Sequence, residues 1–376
     1  MAPVTVLMTL MGLEIGGAET HAVVLARDLR EMGCNVIVAS GGGVYEEALR
    51  RCGIDHYKVP LDSIKASSVL RSLKTVKNVV ALRKVNLIHA HARIPAFVSS
   101  LVARQTGTRF ITTAHARFST DFRFRYFSRW GEKTIAVSSD IRDHLIRHFG
   151  VPPENIVLIP NGVDTETFSP SAPAGDFLRE LGLSRDQQKI VYVSRLDRAL
   201  APVAMELIKA CESMGEEFPR LKLIVVGDGE KFGEVRAGAD GANGRAGREL
   251  VRLLGARTDV NRIMAAGDLV VGASRVALEA MACARNVVLA GGEGFAGLIG
   301  ESSLGLLEKD NFTGRLFKTG TSAEKLEASI REFFALSSSQ RNRAGSFLRR
   351  YVIANHSSKI MAGETAAVYE SVLAGR

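Results

Sequence analysis

The pair Gly16-Gly17 follows an apolar run and precedes Ala18-Glu19-Thr20-His21, which opens a helical pattern. Glycines at such a turn let a ligand come close to the backbone, and a helix start offers unpaired N–H groups to an anion. A plain turn between strand and helix carries the same pair, so this signal alone is weak. Arg195 stands just past a β-branched run, where its guanidinium could fork onto phosphate oxygens or simply face solvent. Residues 65–147 hold sixteen Lys and Arg against Asp121, Glu132, Asp140 and Asp143, a local charge of +12 in a chain of +9. Such a segment favours a polyanionic partner: nucleic acid, an anionic membrane surface or a phosphorylated substrate. Within it, Phe118, Phe122, Phe124, Tyr126, Phe127 and Trp130 interleave with Arg123, Arg125 and Arg129. So many aromatics in thirteen residues do not all enter a core easily, which sets a ligand- or lipid-facing surface against a buried helix with a basic edge.

The elements that must hold these groups alternate. Short β-branched runs at residues 4–10, 35–39, 87–90, 109–113, 134–137 and 155–159 are mostly separated by helical patterns. This alternation predicts βαβ units and a mainly parallel sheet covered on both faces. Over residues 68–84, Val69, Leu73, Val76 and Val80 recur at helical spacing with five basic residues mostly elsewhere around the helix. That pattern fits a surface helix packed on the sheet, with a membrane-contacting face as the alternative. Residues 168–175, rich in Pro and Ser, read as a linker. A second series follows, with strands at 189–193, 221–226, 268–271 and 286–289 and helices at 201–214 and 276–283. Residues 236–247 carry four glycines and read as a mobile surface loop, and residues 358–373 as a helix able to return to the first domain.

A length of 376 residues with 46% apolar and 24% charged residues fits two globular α/β domains and excludes a disordered, collagenous or membrane-bundle chain. The apolar opening, residues 4–13, lacks a basic lead and reads as a first strand, not a signal peptide. Cys34, Cys52, Cys211 and Cys283 lie far apart without a CxxC pair. That spacing suits a reducing compartment, argues against structural zinc and makes the cytoplasm the expected location.

Six short motifs then fall in a telling order: Gly16-Gly17-Ala18-Glu19, Val137-Ser138-Ser139, Pro160-Asn161-Gly162-Val163-Asp164, Ser194-Arg195-Leu196, Gly227-Asp228-Gly229-Glu230 and Leu278-Glu279-Ala280-Met281-Ala282-Cys283. In this order and spacing the chain resembles, over nearly its whole length, the family 4 retaining glycosyltransferases of the GT-B fold. The resemblance implies an α/β architecture of two Rossmann-like, doubly wound domains facing a cleft. Residues 1–168 would form the acceptor-side domain, with 358–376 able to return to it, and residues 169–357 the nucleotide-sugar donor domain. It implies a nucleotide-sugar substrate, no cofactor and no essential metal.

On that resemblance the catalytic candidates are His115, Arg195 and Glu279. A departing nucleoside diphosphate needs its developing charge stabilised without a bound metal cation, which suits Arg195; Glu279, near a helix start, can accept hydrogen bonds from ribose hydroxyls. His115 ends a strand, where the family often has a histidine near the donor sugar. His89 and His91 are less specific, and one of them is expected to be structural. Gly16, Gly17, Asn161, Gly227, Gly291 and Gly292 are expected on the donor loops. Arg117, Arg123 and Arg125 are expected on the acceptor side, toward a glycan or lipid-linked acceptor and in contact with the inner membrane face. Leu200 stands where the family commonly has a lysine, and Val271 where it commonly has a glutamate. The spacing Glu293 to Glu301 copies the missing glutamate pattern but falls too late in the chain to be its counterpart. Arg275, at the start of the Glu279 helix, is expected to supply the charge missing at Leu200. The reading is therefore sugar transfer with retention, and the alternative is a catalytically weak relative that binds a nucleotide or glycan as an assembly component. No nucleic acid is expected, because the basic segment sits inside the βαβ pattern without an RNA- or DNA-binding motif.

Overall fold

The computed structural model describes residues 4–170 and 175–375, without the side chain of Arg123. The chain divides into two units: residues up to Gly162 together with those from Ser358 onward, and Val163–Ser357. Of the stretch read as a linker, residues 171–174 lie outside the described residues.

The first unit holds seven strands: β1 (Thr5–Thr9), β2 (Asn35–Ser40), β3 (Asp55–Lys58), β4 (Leu87–Ala90), β5 (Arg109–Ala114), β6 (Lys133–Ala136) and β7 (Ile156–Leu158). All pair in parallel, in the order β3-β2-β1-β4-β5-β6-β7. Residues along β1 alternate between two cores, as the two-residue side-chain period requires. Val6 and Met8 join Leu25, Leu29, Met361 and Tyr369 on one face. Leu7 joins Val76, Val80, Val98 and Val102 on the other. The first face is covered by helices Gly17–Glu31 and Ser358–Ala374, the second by Ala66–Leu82 and Arg93–Thr106. The last helix is fixed by specific bonds: Arg109 Nε donates to the Val372 carbonyl at 2.9 Å, and Tyr369 Oη lies 2.7 Å from His89 Nδ1.

The second unit holds β8 (Gln188–Val193), β9 (Leu221–Val226), β10 (Val251–Leu253), β11 (Leu269–Gly272), β12 (Asn286–Ala290) and β13 (Phe295–Leu298). Their order is β10-β9-β8-β11-β12-β13, parallel except for β13, which runs antiparallel to β12. Helices on both faces bury alternate residues: Val191, Ile224 and Val270 pack with Leu278 and Met281, whereas Ile190, Leu223 and Leu269 pack with Leu207 and Ile330. In both sheets the strand order reverses once, between β1 and β4 and between β8 and β11. At such a reversal, neighbouring loops leave the sheet toward opposite faces and open a crevice at the carboxyl ends of the strands.

The glycine-rich stretch read as a loop is instead part of a helix, Phe232–Ala246. Val235, Ala239 and Ala242 recur on one face and are buried against the core, so packing outweighs the helix-weakening glycines. Strands β3, β10 and β13 were not anticipated. The first two are short edge strands, and β13 lies in a glycine-rich run that turns back beside β12 with a register shift at Leu289/Ala290.

His89 is the structural histidine of the three near the ends of β4 and β5. It is buried, with Nδ1 on Tyr369 Oη and Nε2 on Thr113 Oγ1, both at 2.7 Å. Burial pushes its pKa down from 6.5 to about 3, and repulsion from His115 adds to this. The folded state therefore refuses a proton that the unfolded chain accepts below about pH 6.5, so stability present at pH 7 declines as pH falls toward 3. From pH 7 to 5 this group should remove about 2 kcal/mol of unfolding free energy. His89→Gln should lessen that loss in denaturant titrations at the two pH values; an unchanged difference would show that His89 does not carry it.

Candidate active site

In the second unit, loops after four adjacent strands, β9, β8, β11 and β12, come together at one sheet edge. Gly227 follows β9 with φ of +139°, and a Cβ there would collide with the carbonyl of Ser194 after β8. Gly292, after β12, presses as closely on the other side of that loop: a Cβ would stand 2.6 Å from the Ala199 carbonyl oxygen. Gly291 beside it packs on Ala273. These glycines join the loops to one another, so the close approach they allow is first an approach of backbone to backbone. The Leu196 amide donates to the Asp228 carbonyl and the Lys231 amide to the Leu196 carbonyl, which fixes the β8 and β9 loops together.

Arg195 stands on the β8 loop with a side chain 67% exposed and Asp197 Oδ2 at 3.5 Å. Asp197 Oδ1 accepts from the amides of Ala199 and Leu200 at 3.0 and 3.1 Å, shaping the start of helix Ala201–Ser213. Leu200 is the residue flanking that helix, with its carbonyl accepting from Tyr192 Oη. Val271 is fully buried in the core, so no carboxylate projects from that position. Glu293 meets Arg315 at 2.6 Å, and Glu301 begins a separate helix.

Glu279 and Arg275 share helix Arg275–Ala282 and are 7% and 8% exposed. Arg275 Nε lies 2.7 Å from Glu279 Oε1. Burial pushes the Glu279 carboxyl up, and Arg275 pulls against that shift. Arg275, expected as a cation aimed at phosphates, is thus engaged by the carboxylate one turn along. Before it, Ser274 has φ of +53°, a conformation that L-residues rarely adopt. Its amide donates to the Phe312 carbonyl at 2.6 Å, and Asn311 Nδ2 donates to its hydroxyl at 3.2 Å. Asn311 and Phe312 also have positive φ, so one strained turn holds another at the entrance to this helix.

In the first unit, Gly16 precedes helix Gly17–Glu31 and accepts the Thr20 amide on its carbonyl, with the Glu19 carboxylate folded beside it. Among the described residues, nothing beyond its chain neighbours and its own helix backbone stands within 4 Å of a Cβ placed on Gly17. His21 lies in the second turn of that helix, His91 just past β4, His115 just past β5 and Asn161 past β7. The structure brings all four together. His91 Nδ1 is 3.1 Å from His115 Nε2, the His21 and His115 rings meet edge-on at 4.6 Å, and His21 Nδ1 donates to Asn161 Oδ1 at 3.0 Å. Burial lowers the pKa of His115 to about 4 and that of His91 well below 6.5, so both are neutral at pH 7. The place of His21 in this group was not anticipated. The available signal was its position one turn into the helix after β1, the strand paired with β4 just before His91.

The arginine and aromatic segment divides. Arg117 pairs with Asp140 at 3.0 Å. Arg129 lies over Phe97 and Tyr126, and Arg93 over Phe118 and Phe124. On the short helix Phe122–Phe127, Phe122 and Tyr126 are 78% and 68% exposed, with Phe124 and Arg125 exposed beside them. The side chain of Arg123 is outside the described residues. No helix among the described residues is long and apolar enough to cross a membrane.

Residues 15–167 match the model of Glycosyltransferase Family 4, and residues 187–334 that of Glycosyl transferases group 1. The chain is similar to the phosphatidylinositol N-acetylglucosaminyltransferase GPI3 subunit of Saccharomyces cerevisiae (strain RM11-1a), 25% identical over 240 residues covering 58% of this chain and 51% of that protein. It thus spans about half the length of the first curated relatives it matches. A glycosyltransferase structure from Rickettsia africae ESF-5 shares the fold at a TM-score of 0.81 and 20% identity, over 100% of both chains. Alr3699/HepE of Anabaena, solved in complex with UDP and glucose, gives 0.76 at 20% identity, covering 97% of this chain and 99% of that one. Two doubly wound sheets, each matched by one of the two family models and with its candidate groups at the carboxyl ends of its strands, place this chain among the family 4 glycosyltransferases of the GT-B fold.

Proposed function

We propose that the chain transfers a sugar, with retention of anomeric configuration, from a nucleotide-sugar to a glycan or lipid-linked acceptor at the cytoplasmic face of a membrane. The observation that carries this reading is the placement of Arg195 and Glu279 after β8 and β11, the adjacent strands between which the second sheet reverses its order. In the reaction the bond from the anomeric carbon to the diphosphate oxygen breaks with its electron pair left on the diphosphate, which gains charge. A bond forms on the same face from that carbon to the acceptor hydroxyl oxygen, and the hydroxyl proton passes to the departing diphosphate. Arg195 and backbone N–H groups of the converging loops stabilise that charge, with no metal needed. Glu279 receives the ribose hydroxyls, its charge offset by Arg275. His115, neutral at pH 7, offers a hydrogen bond on the sugar side in the first unit.

The UDP and glucose bound by HepE support a nucleotide-sugar donor, and the phosphatidylinositol in the name of the yeast relative supports a lipid acceptor. The exposed Phe122, Phe124 and Tyr126 beside Arg125 suit such an acceptor at a membrane surface. A second reading, a binding component with little turnover, is favoured by Leu200 in place of a lysine and by the engagement of Arg275 with Glu279. Sugar release or transfer, followed by mass detection, separates the two, and the anomer of the product tests retention.

Arg195→Ala should weaken binding of UDP, GDP or ADP by about 1.5–3 kcal/mol in calorimetry; an affinity equal to the parent's removes Arg195 from the donor site. Arg275→Ala, by leaving a buried carboxylate unpaired, should destabilise the fold by about 3 kcal/mol, with much of the loss recovered in Arg275→Met/Glu279→Leu. A melting temperature unmoved by the single change would show that the pair is not buried in solution. Binding to anionic vesicles should fall with rising salt and fall further in a Phe122→Ser/Arg125→Ser/Tyr126→Ser variant. Equal sedimentation of parent and variant at low salt would reject this membrane surface.

A further inference from the structure

We propose that His21, His91 and His115 form a binding site for a first-row transition-metal ion of the Zn2+ class. One nitrogen from each ring lies within 4.8 Å of the other two. The separation from His91 Nδ1 to His115 Nε2, 3.1 Å, is near the edge of about 3.3 Å required by a tetrahedron with metal–nitrogen bonds of about 2.0–2.1 Å.

The surroundings favour a ligand. The bond from His21 Nδ1–H to Asn161 Oδ1 fixes the tautomer in which Nε2 carries a lone pair, the outer-shell arrangement found behind metal-bound histidines. His91 is buried and turns its Nδ1 toward His115 Nε2. The His89 ring lies tilted against that of His91 with centroids 4.1 Å apart, but both its nitrogens are already bonded, so it packs beside the cluster without joining it.

The donor set selects the ion. Three imidazole nitrogens, with no carboxylate in the group among the described residues, suit Zn2+, Co2+, Ni2+ or Cu2+ and not Mg2+ or Ca2+, which prefer oxygen. Three protein ligands leave a further position for water or a hydroxyl oxygen. No step of the proposed sugar transfer runs through this ion. Because His115 is shared, the ion would compete with that use of the histidine; the site itself does not depend on the transfer reading.

The test is titration of the full chain with Co2+, followed by visible absorption and calorimetry, with Zn2+ as competitor. One Co2+ per chain should bind with the spectrum of a low-coordinate nitrogen site, and Zn2+ should displace it and raise the melting temperature. His21→Ala, His91→Gln and His115→Ala should each lose binding by tenfold or more. Asn161→Leu should weaken it about 10- to 100-fold through the tautomer of His21. Melting curves without metal verify that each variant folds. His144→Ala/His148→Ala removes the other neighbouring histidine pair, whose rings lie 4.7 Å apart, and should leave binding intact. Absence of stoichiometric Co2+ binding by the parent would overturn the proposal, as would binding that survives all three cluster variants or vanishes with His144 and His148. Because UDP binding is read separately through Arg195, failure here leaves the donor reading standing.

Discussion

The direction of the strands governs where chemistry can occur in this protein. When every strand of a sheet runs the same way, each connection must cross a face and return to the starting edge, and nearly all such connections here are helices. Every carboxyl end of the parallel strands therefore opens on one edge, and each helix that follows such a strand presents its N-terminus there. Arg195, Gly227, Glu279 and Gly292 are separated in sequence by up to nearly a hundred residues, yet they stand on four adjacent strand ends because the order is β9-β8-β11-β12. The same geometry gathers His21, His91, His115 and Asn161 in the first unit. In neither unit does a local stretch of chain build the site by itself.

That dependence explains what could be read in advance. The run Leu221–Val226 is buried along its whole length, and such continuous apolar strands announce a sheet covered on both faces. The two-domain α/β architecture and the individual loop residues followed from this pattern and from the six motifs. Strand order is a matter of long-range pairing, so the doubly wound expectation did not say which strands flank each reversal, and the meeting of His21 with Asn161 across 140 positions could not be seen. The helix Phe232–Ala246 was hidden for a different reason. Its glycines dominate the composition, while the small buried stripe that holds it is only Val235, Ala239 and Ala242. Antiparallel β13 was masked likewise, because glycines that signal a loop also serve where two backbones press together.

The glycines of the second unit show how one feature serves both fold and ligand. Gly227 and Gly292 press on the β8 loop from its two sides, and their missing side chains are replaced by backbone of that loop. A side chain at either position would first push apart the loops that carry Arg195, before meeting any ligand. This packing fixes the loops relative to one another, and fixed loops lower the ordering cost of any binding at their backbone N–H groups.

The Arg275–Glu279 pair is harder to explain by stability. Arg275 is the first residue of its helix, where the positive end of the macrodipole disfavours a cation. An arginine placed one turn before a glutamate is also the weaker orientation for such a pair on a helix. Both groups are buried, and desolvation offsets much of what their attraction contributes. The preceding Ser274 adds backbone strain, held by the equally unusual turn at Asn311 and Phe312. Four local preferences thus oppose the arrangement, at one strand end on the reversal of the sheet. Violations concentrated in this way mark a place where the fold gives up stability for a site. With Leu200 and Val271 lacking the usual charges, the charge that remains at this strand end is a compact, neutralised pair beside a strained loop. Arg195 on the adjoining loop is exposed, as is Arg198, so that loop presents cations to solvent while Arg275 stays with its carboxylate.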